Sequence, residues 1–316
     1  MAIRIILLAV FLVSFPVKAS ALDANEAFHR ISTVTITSSK KGTDGGTAFF
    51  YQQLGPANPE IKGPQWRSVK KTWLVTNRHV VLPRMYKTAS EYDEILPDSF
   101  SFHMRKLRGN SLEWDPITLS RSELIQRARF HIDSKVDVAV IEIQDLLLDR
   151  MKRGKYVPWY PLSKEDFPSN KKISVGVSDD IVIVGYPRLY YDTVNLYPIV
   201  KTGIIASRWG AKFQGKSSFL IDAKLFPGSS GSIVVTKPKN IDIIDGSLAY
   251  SKEKVFALLG IFSGEPFEEG RKTELENMTI IEKLGYNVGI VWYADLIEEI
   301  IESGAPHTVS PAEQKK

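Results

Sequence analysis

Between Ile221 and Ser232 the chain reads IDAKLFPGSSGS, and this stretch limits the fold more than any other. An apolar strand ending, Phe219 to Ile221, runs into a turn of Pro227, Gly228 and small hydroxyl residues. A second apolar strand, Ile233 to Val235, follows with no linker. The turn has the form Gly-x-Ser-Gly-small, which sets Ser230 on a tight bend as a candidate nucleophile. Gly228, two residues earlier, offers a backbone N–H that no side chain blocks, in conformations costly for residues with a Cβ. The N–H groups of Gly228 and Ser230 can converge on one point and hold a developing oxyanion. A Ser/Gly-rich surface turn is the other reading of the same residues. A base and an orienting acid upstream would favour the first.

Both types of residue are present. Trp73 to Val81 reads WLVTNRHVV, with His79 just beyond a short apolar strand. Val136 to Ile143 reads VDVAVIEI, with Asp137 opening a nearly all-apolar run. A carboxylate there is costly to bury unless hydrogen-bonded, and orienting an imidazole is one reason to keep it. The chain order is His79, Asp137, Ser230, whereas α/β-hydrolases place serine first and histidine last. Their Gly-x-Ser-x-Gly elbow also fails, because Ser232 holds its last position. His29, His103, His131 and His307 lack the strand setting of His79 and read as surface or structural histidines. Asp133 sits among turn residues and is a weaker partner than Asp137. Of Ser229, Ser230 and Ser232, only Ser230 has glycine both two before and one after it.

These motifs give the chain its resemblance to the chymotrypsin-fold serine peptidases, and within them to the HtrA-like bacterial branch. TNRHVV resembles that branch's histidine motif, VDVAVIEI its aspartate strand and DAKLFPGSSGS its serine loop. Weaker echoes, in the family's order, are GTAFFY from Gly46, VGYP from Val184, VKTGIIAS from Val200, LLGIFSG from Leu258 and NVGIVW from Asn287. The resemblance implies an all-β, chymotrypsin-like double β-barrel with short connecting helices and a C-terminal helix. It implies a His79–Asp137–Ser230 triad, an oxyanion hole from Gly228 and Ser230, and substrate-binding roles for Lys224, Ser263 and Gly264. The residue six before the nucleophile lies at the floor of the specificity pocket in such relatives. Lys224 in that place implies poor cleavage after Arg or Lys. Two departures stand in the serine loop, where Ser229 replaces an asparagine and Ser232 a glycine. Ser229 carries no charge, so activity is expected not to need a liberated N-terminal ammonium. The PDZ domain usual in the branch has no counterpart after residue 303.

The expected organisation is a signal peptide over 1–21, a barrel with His79 and Asp137 over 22–160, a barrel with Ser230 over 161–303, and a polar tail over 304–316. Arg4, the apolar run Ile5 to Phe15 and Ala19-Ser20-Ala21 form the expected signal, with a membrane anchor as the alternative. A short helix is expected over Leu22–Arg30. Exposed or unassigned loops are expected over Gln53–Gln65, Pro83–Pro97, Lys237–Ser251 and Glu265–Gly285. The formal charge of +5 is too mild to argue for nucleic acid. Cysteine is absent, and no His/Asp/Glu spacing suits zinc or calcium, so neither metal nor cofactor is expected. An exported protein without disulfides points to a bacterial periplasm or secretion. The expected partner is a polypeptide substrate, cut by a serine endopeptidase. The rivals are a protease-like module that binds peptide without cutting it, and an esterase on the same fold.

Overall fold

The computed structural model describes residues 32–38, 42–57, 67–86, 92–109, 111–152, 161–187, 190–244, 247–275 and 278–307. The expected signal peptide, the helix over Leu22–Arg30 and most of the tail lie outside these. The first half carries β1 (Ser32–Ser38), β2 (Gly42–Ala57), β3 (Arg67–Thr76), helix α1 (Arg78–Val81), β4 (Arg84–Tyr86), β5 (Tyr92–Glu94), β6 (Ser99–Arg108), β7 (Ser111–Ser120), α2 (Arg121–Arg127), β8 (Ala128–Phe130), β9 (Ala139–Glu142) and α3 (Gln144–Lys152). The second half carries β10 (Leu162–Ser163), α4 (Pro168–Lys171), β11 (Asp180–Gly185), β12 (Ile199–Ile205), β13 (Ser218–Asp222), β14 (Ile233–Thr236), β15 (Lys239–Ile244), β16 (Ser247–Val255), β17 (Leu258–Gly264), β18 (Phe267–Leu275), β19 (Met278–Gly285), β20 (Gly289–Tyr293) and α5 (Asp295–Ser303).

Strand periodicity explains how two halves share one core. On β2, Ala48 and Phe50 point into the first half's own core, while Phe49 and Tyr51 point into a seam between the halves. On β3, Leu74 points inward and Trp73 and Val75 face the seam. Ala139 and Ile141 divide in the same way from Val138 and Val140. The second half mirrors this: Ile181, Ile183 and Val234 fill its interior, and Val182, Val184, Ile233 and Val235 face the seam. Successive side chains leave a strand on opposite faces, so a strand buried on both must read as a continuous apolar run. That is why IVIVG and AVIE show no alternation in the sequence.

The fold is all-β and chymotrypsin-like. In the second half, β11-β12-β13-β20-β17-β14 close into a barrel. In the first half the sheet runs β7-β6-β1-β2-β3-β9-β8, and it wraps one core that both its end strands enter through Ile117, Leu119, Ala128 and Phe130. β10 pairs in parallel with Tyr51 and Gln52, so the first sheet recruits a strand from beyond residue 160. α5 packs Leu296, Ile297 and Ile300 on the seam, and Tyr51 Oη donates to Glu298 Oε1 at 2.5 Å.

Several expected loops are strands. β2 runs on through Ala57, where bulges at Gln53/Leu54 and Leu54/Ala57 accommodate the Pro- and Gly-containing segment. Pro83–Pro97 contains the paired strands β4 and β5. Lys237–Ser251 and Glu265–Gly285 hold the β15–β16 and β18–β19 hairpins. Such two-stranded ribbons pair only locally, and their polar, irregular sequences carry little period-two signal. Arg121–Arg127 and Gln144–Lys152 form the helices α2 and α3, and α2 starts from a capping box of Ser120 and Glu123.

Candidate active site

β3 ends at Thr76, and Asn77 turns the chain into the single turn of α1. Val80 and Val81 are buried there, which leaves His79 on the outward side with its side chain 27% exposed. Arg78 anchors the turn through a two-pronged bond to Glu94, at 2.6 and 2.7 Å, with its guanidinium over the Phe130 ring. Asp137 lies in the extended segment just before β9, between the seam residues Val136 and Val138. The Asn77 amide donates to the Asp137 carbonyl at 2.7 Å and ties the two segments together.

His79 and Asp137 are held together by two bonds. The Asp137 Oδ2 to His79 Nδ1 distance is 2.6 Å, and the His79 backbone N–H donates to Asp137 Oδ1 at 2.9 Å. The Ser263 hydroxyl donates to Asp137 Oδ2 at 2.5 Å, and Arg84 stands 3.8 Å from Oδ1. Burial by itself would raise this carboxyl. The His79 ring by charge and hydrogen bond, the Arg84 charge and the Ser263 hydroxyl outweigh it and hold Asp137 below the usual carboxylate range.

The serine turn is fastened from both halves. Gly228 and Gly231 both have φ of 85°, in the left-handed region. A Cβ on Gly231 would overlap the Thr47 carbonyl oxygen and lie 2.5 Å from Thr76 Oγ1. The Thr47 N–H donates to the Ser230 carbonyl at 2.8 Å and the Thr47 hydroxyl to the Gly228 carbonyl at 3.1 Å. From β17, the Phe262 carbonyl accepts the Gly231 N–H at 2.9 Å. Among the described residues, the Gly228 and Ser230 N–H groups have no acceptor. The Ser230 hydroxyl donates to the Ser263 carbonyl at 3.0 Å. Ser263 therefore touches Asp137 with its side chain and Ser230 with its backbone.

The other serine-loop substitution has a structural counterpart. Ser232 is fully buried, and among the described residues its hydroxyl has no hydrogen-bond partner. Gly185 on β11 makes room for it, since a Cβ there would overlap Ser232 Oγ and lie 3.0 Å from Ser232 Cβ. Ser229 is 2% exposed.

The remaining candidates fall elsewhere. His131 bonds Glu299 at 2.8 Å and accepts the Asp133 N–H at 2.9 Å. His103 stacks edgewise on Trp114, and His307 on Phe130. His29 lies outside the described residues. Asp133 accepts the Lys135 backbone N–H at 2.9 Å. Lys224 is exposed, and its carbonyl accepts from Lys201 Nζ. A cavity of about 990 Å³ opens beside Asp137 and Ser263, and Lys224 is not part of its wall. Gly264 ends β17 with open space around it, for a Cβ there would meet nothing within 4 Å.

Sequence reading missed the Ser263 bond to Asp137, the Thr47 tie to the serine turn, and Arg84. The available signals were a lone hydroxyl after the apolar run LLGIF and another before AFFY.

The family profile described as "Trypsin-like peptidase domain" matches residues 46–240. No curated protein matches the chain. Among solved structures, the chain is similar to an inactive form of the Rv3671c protease at 16% identity and a TM-score of 0.37, over 89% of this chain and 92% of that one. It is also similar to the thermostable serine protease AL20 from an extremophilic microorganism, at 10% identity and 0.38, over 91% and 98% of the two chains. Tobacco etch virus protease complexed with product aligns at 11% identity and 0.42, over 92% and 85%.

Proposed function

The chain belongs to the trypsin-like peptidase family, and from that premise we propose that it is a serine endopeptidase working through His79, Asp137 and Ser230. The observation that carries the reading is the buried Asp137 bonded at 2.6 Å to His79 Nδ1, with Ser263 joining that pair to Ser230.

Asp137 takes the proton-bearing Nδ1 of the imidazole, which leaves Nε2 as the base. Ser230 first turns its hydroxyl from the Ser263 carbonyl to Nε2. Its Oγ then attacks the substrate carbonyl carbon while the proton passes to His79. Asp137 stabilises the imidazolium without taking its proton. The N–H groups of Gly228 and Ser230 receive the negative oxygen, and losing one such donor costs on the order of 100-fold or more in rate. His79 protonates the leaving amine, and water repeats the sequence on the acyl-enzyme.

The motifs TNRHVV and DAKLFPGSSGS support placing the chain with the HtrA-like branch. Arg4, the apolar run Ile5 to Phe15 and Ala19-Ser20-Ala21 support export with removal of residues 1–21, to a bacterial periplasm or medium. Poor cleavage after Arg and Lys remains the specificity expected from Lys224.

A fluorophosphonate probe tests the nucleophile. It should label the parent and not Ser230→Ala, and peptide turnover in that variant should fall by orders of magnitude. A parent that folds but neither labels nor cuts would favour the non-cutting peptide-binding reading. Turnover of esters without peptides would favour the esterase.

A further inference from the structure

The cavity beside Asp137 and Ser263 has a charge pattern that the triad does not use. Its floor includes Leu220, Ile290 and Trp292, and its wall carries Arg84, Lys135 and Lys216. Among the described residues Asp137 is the one acid in that wall, and its oxygens are already engaged by His79 and Ser263 with Arg84 close by. Among the described residues, no carboxylate lies within ion-pair distance of the Lys135 or Lys216 ammonium. Asp133, close to Lys135 in sequence, accepts a backbone N–H.

We propose that this cavity holds an acidic side chain of the polypeptide substrate, a few residues from the scissile bond. The proposal rests on the peptidase reading above. The cavity adjoins the nucleophile, since the Ser263 carbonyl that accepts from Ser230 belongs to a lining residue. An extended peptide advances about 3.3 Å per residue, so a side chain entering beside Ser263 lies close to the cut bond. A carboxylate there meets the exposed ammonium groups of Lys135 and Lys216 beside the apolar Leu220, Ile290 and Trp292, an attraction that added salt screens. A substrate Lys or Arg in the same place meets like charge.

The experiment scans Glu, Gln and Lys through positions two to four on each side of the scissile bond in otherwise identical fluorogenic peptides. At one position, kcat/KM should favour Glu over Gln by up to about fivefold at low salt, as for an exposed charge pair. Lys should be poorer than Gln, and the preference should shrink at high salt. In Lys135→Ala/Lys216→Ala, checked for parent-like thermal unfolding, the Glu-to-Gln ratio should fall to about one. Equal rates for Glu and Gln at every position overturn the proposal, as does a Glu preference untouched by the double substitution. Binding of the same peptides to Ser230→Ala, read by fluorescence anisotropy, separates the two claims. A Glu preference in binding with no hydrolysis by the parent keeps the cavity and sinks the triad. Hydrolysis without any Glu preference does the reverse.

Discussion

Ser263 shows how much one residue does at this site. Its hydroxyl donates to the Asp137 carboxylate, which in the proposed mechanism makes it a positioning group, while its carbonyl accepts from the Ser230 hydroxyl. Removing the hydroxyl in Ser263→Ala takes a charge-assisted bond from a buried carboxylate and should cost about 1.5–3 kcal/mol. The sign with pH follows from the lowered Asp137 carboxyl. A depressed carboxyl stabilises the fold above its unfolded value of about 3.9, and that stabilisation is lost as pH falls through the lower folded value. The Tm gap between parent and Ser263→Ala should therefore be full at neutral pH and close progressively below about pH 4. A gap that stayed constant into acid would assign the cost to packing. kcat should fall at neutral pH, and Ser263→Thr, which keeps a hydroxyl, should recover part of it.

Among the elements, β11 and β14 carry a matched pair. They run antiparallel, with Val184 opposite Ile233, and this brings Gly185 against Ser232. Gly185→Ala should be strongly destabilising because its Cβ has no space beside Ser232 and Thr47 Oγ1, the latter 3.1 Å away. Ser232→Gly removes the obstructing side chain together with a buried hydroxyl that has no partner among the described residues. The double variant should be more stable than the sum of the single effects by about 0.5–3 kcal/mol, the range for residues in contact. Chemical unfolding of the four proteins gives this coupling directly. Additive effects would mean that Thr47, and not Ser232, sets the limit at Gly185.

The whole molecule assembles its site across the seam. His79 and Asp137 come from the first half and Ser230 and Ser263 from the second, so the constellation exists only when the halves dock. Thr47 fastens them, since its hydroxyl accepts the Tyr186 N–H at 2.9 Å and donates to the Gly228 carbonyl. Thr47→Val keeps the shape but strands that buried N–H, at a cost of about 1–3 kcal/mol. Turnover should fall with stability, because the Gly228 peptide loses the bond that orients it. Thr47→Ser should restore most of both, as measured by thermal unfolding and peptide hydrolysis. Unchanged kcat in Thr47→Val would show that the oxyanion donors are set by the turn alone.

The sequence by itself carried the local physics. Two-faced burial wrote IVIVG, AVIE and IVVT as unbroken apolar runs, and the left-handed turn required Gly228 and Gly231. His79, Asp137 and Ser230 were legible because each sits in or beside such a run and a charged or polar group there needs a reason. Polar hairpins such as β15–β16 were not legible, because they bury too little to impose a period. Only the tertiary structure decided that Ser263 would meet Asp137 from 126 positions away and Thr47 the Gly228 carbonyl from 181. It also decided that Gly185 would yield space to Ser232, and that Lys135 and Lys216 would share one cavity wall. Periodicity and turn chemistry act over a few residues, whereas these contacts arise from how two independently patterned sheets dock along their common seam.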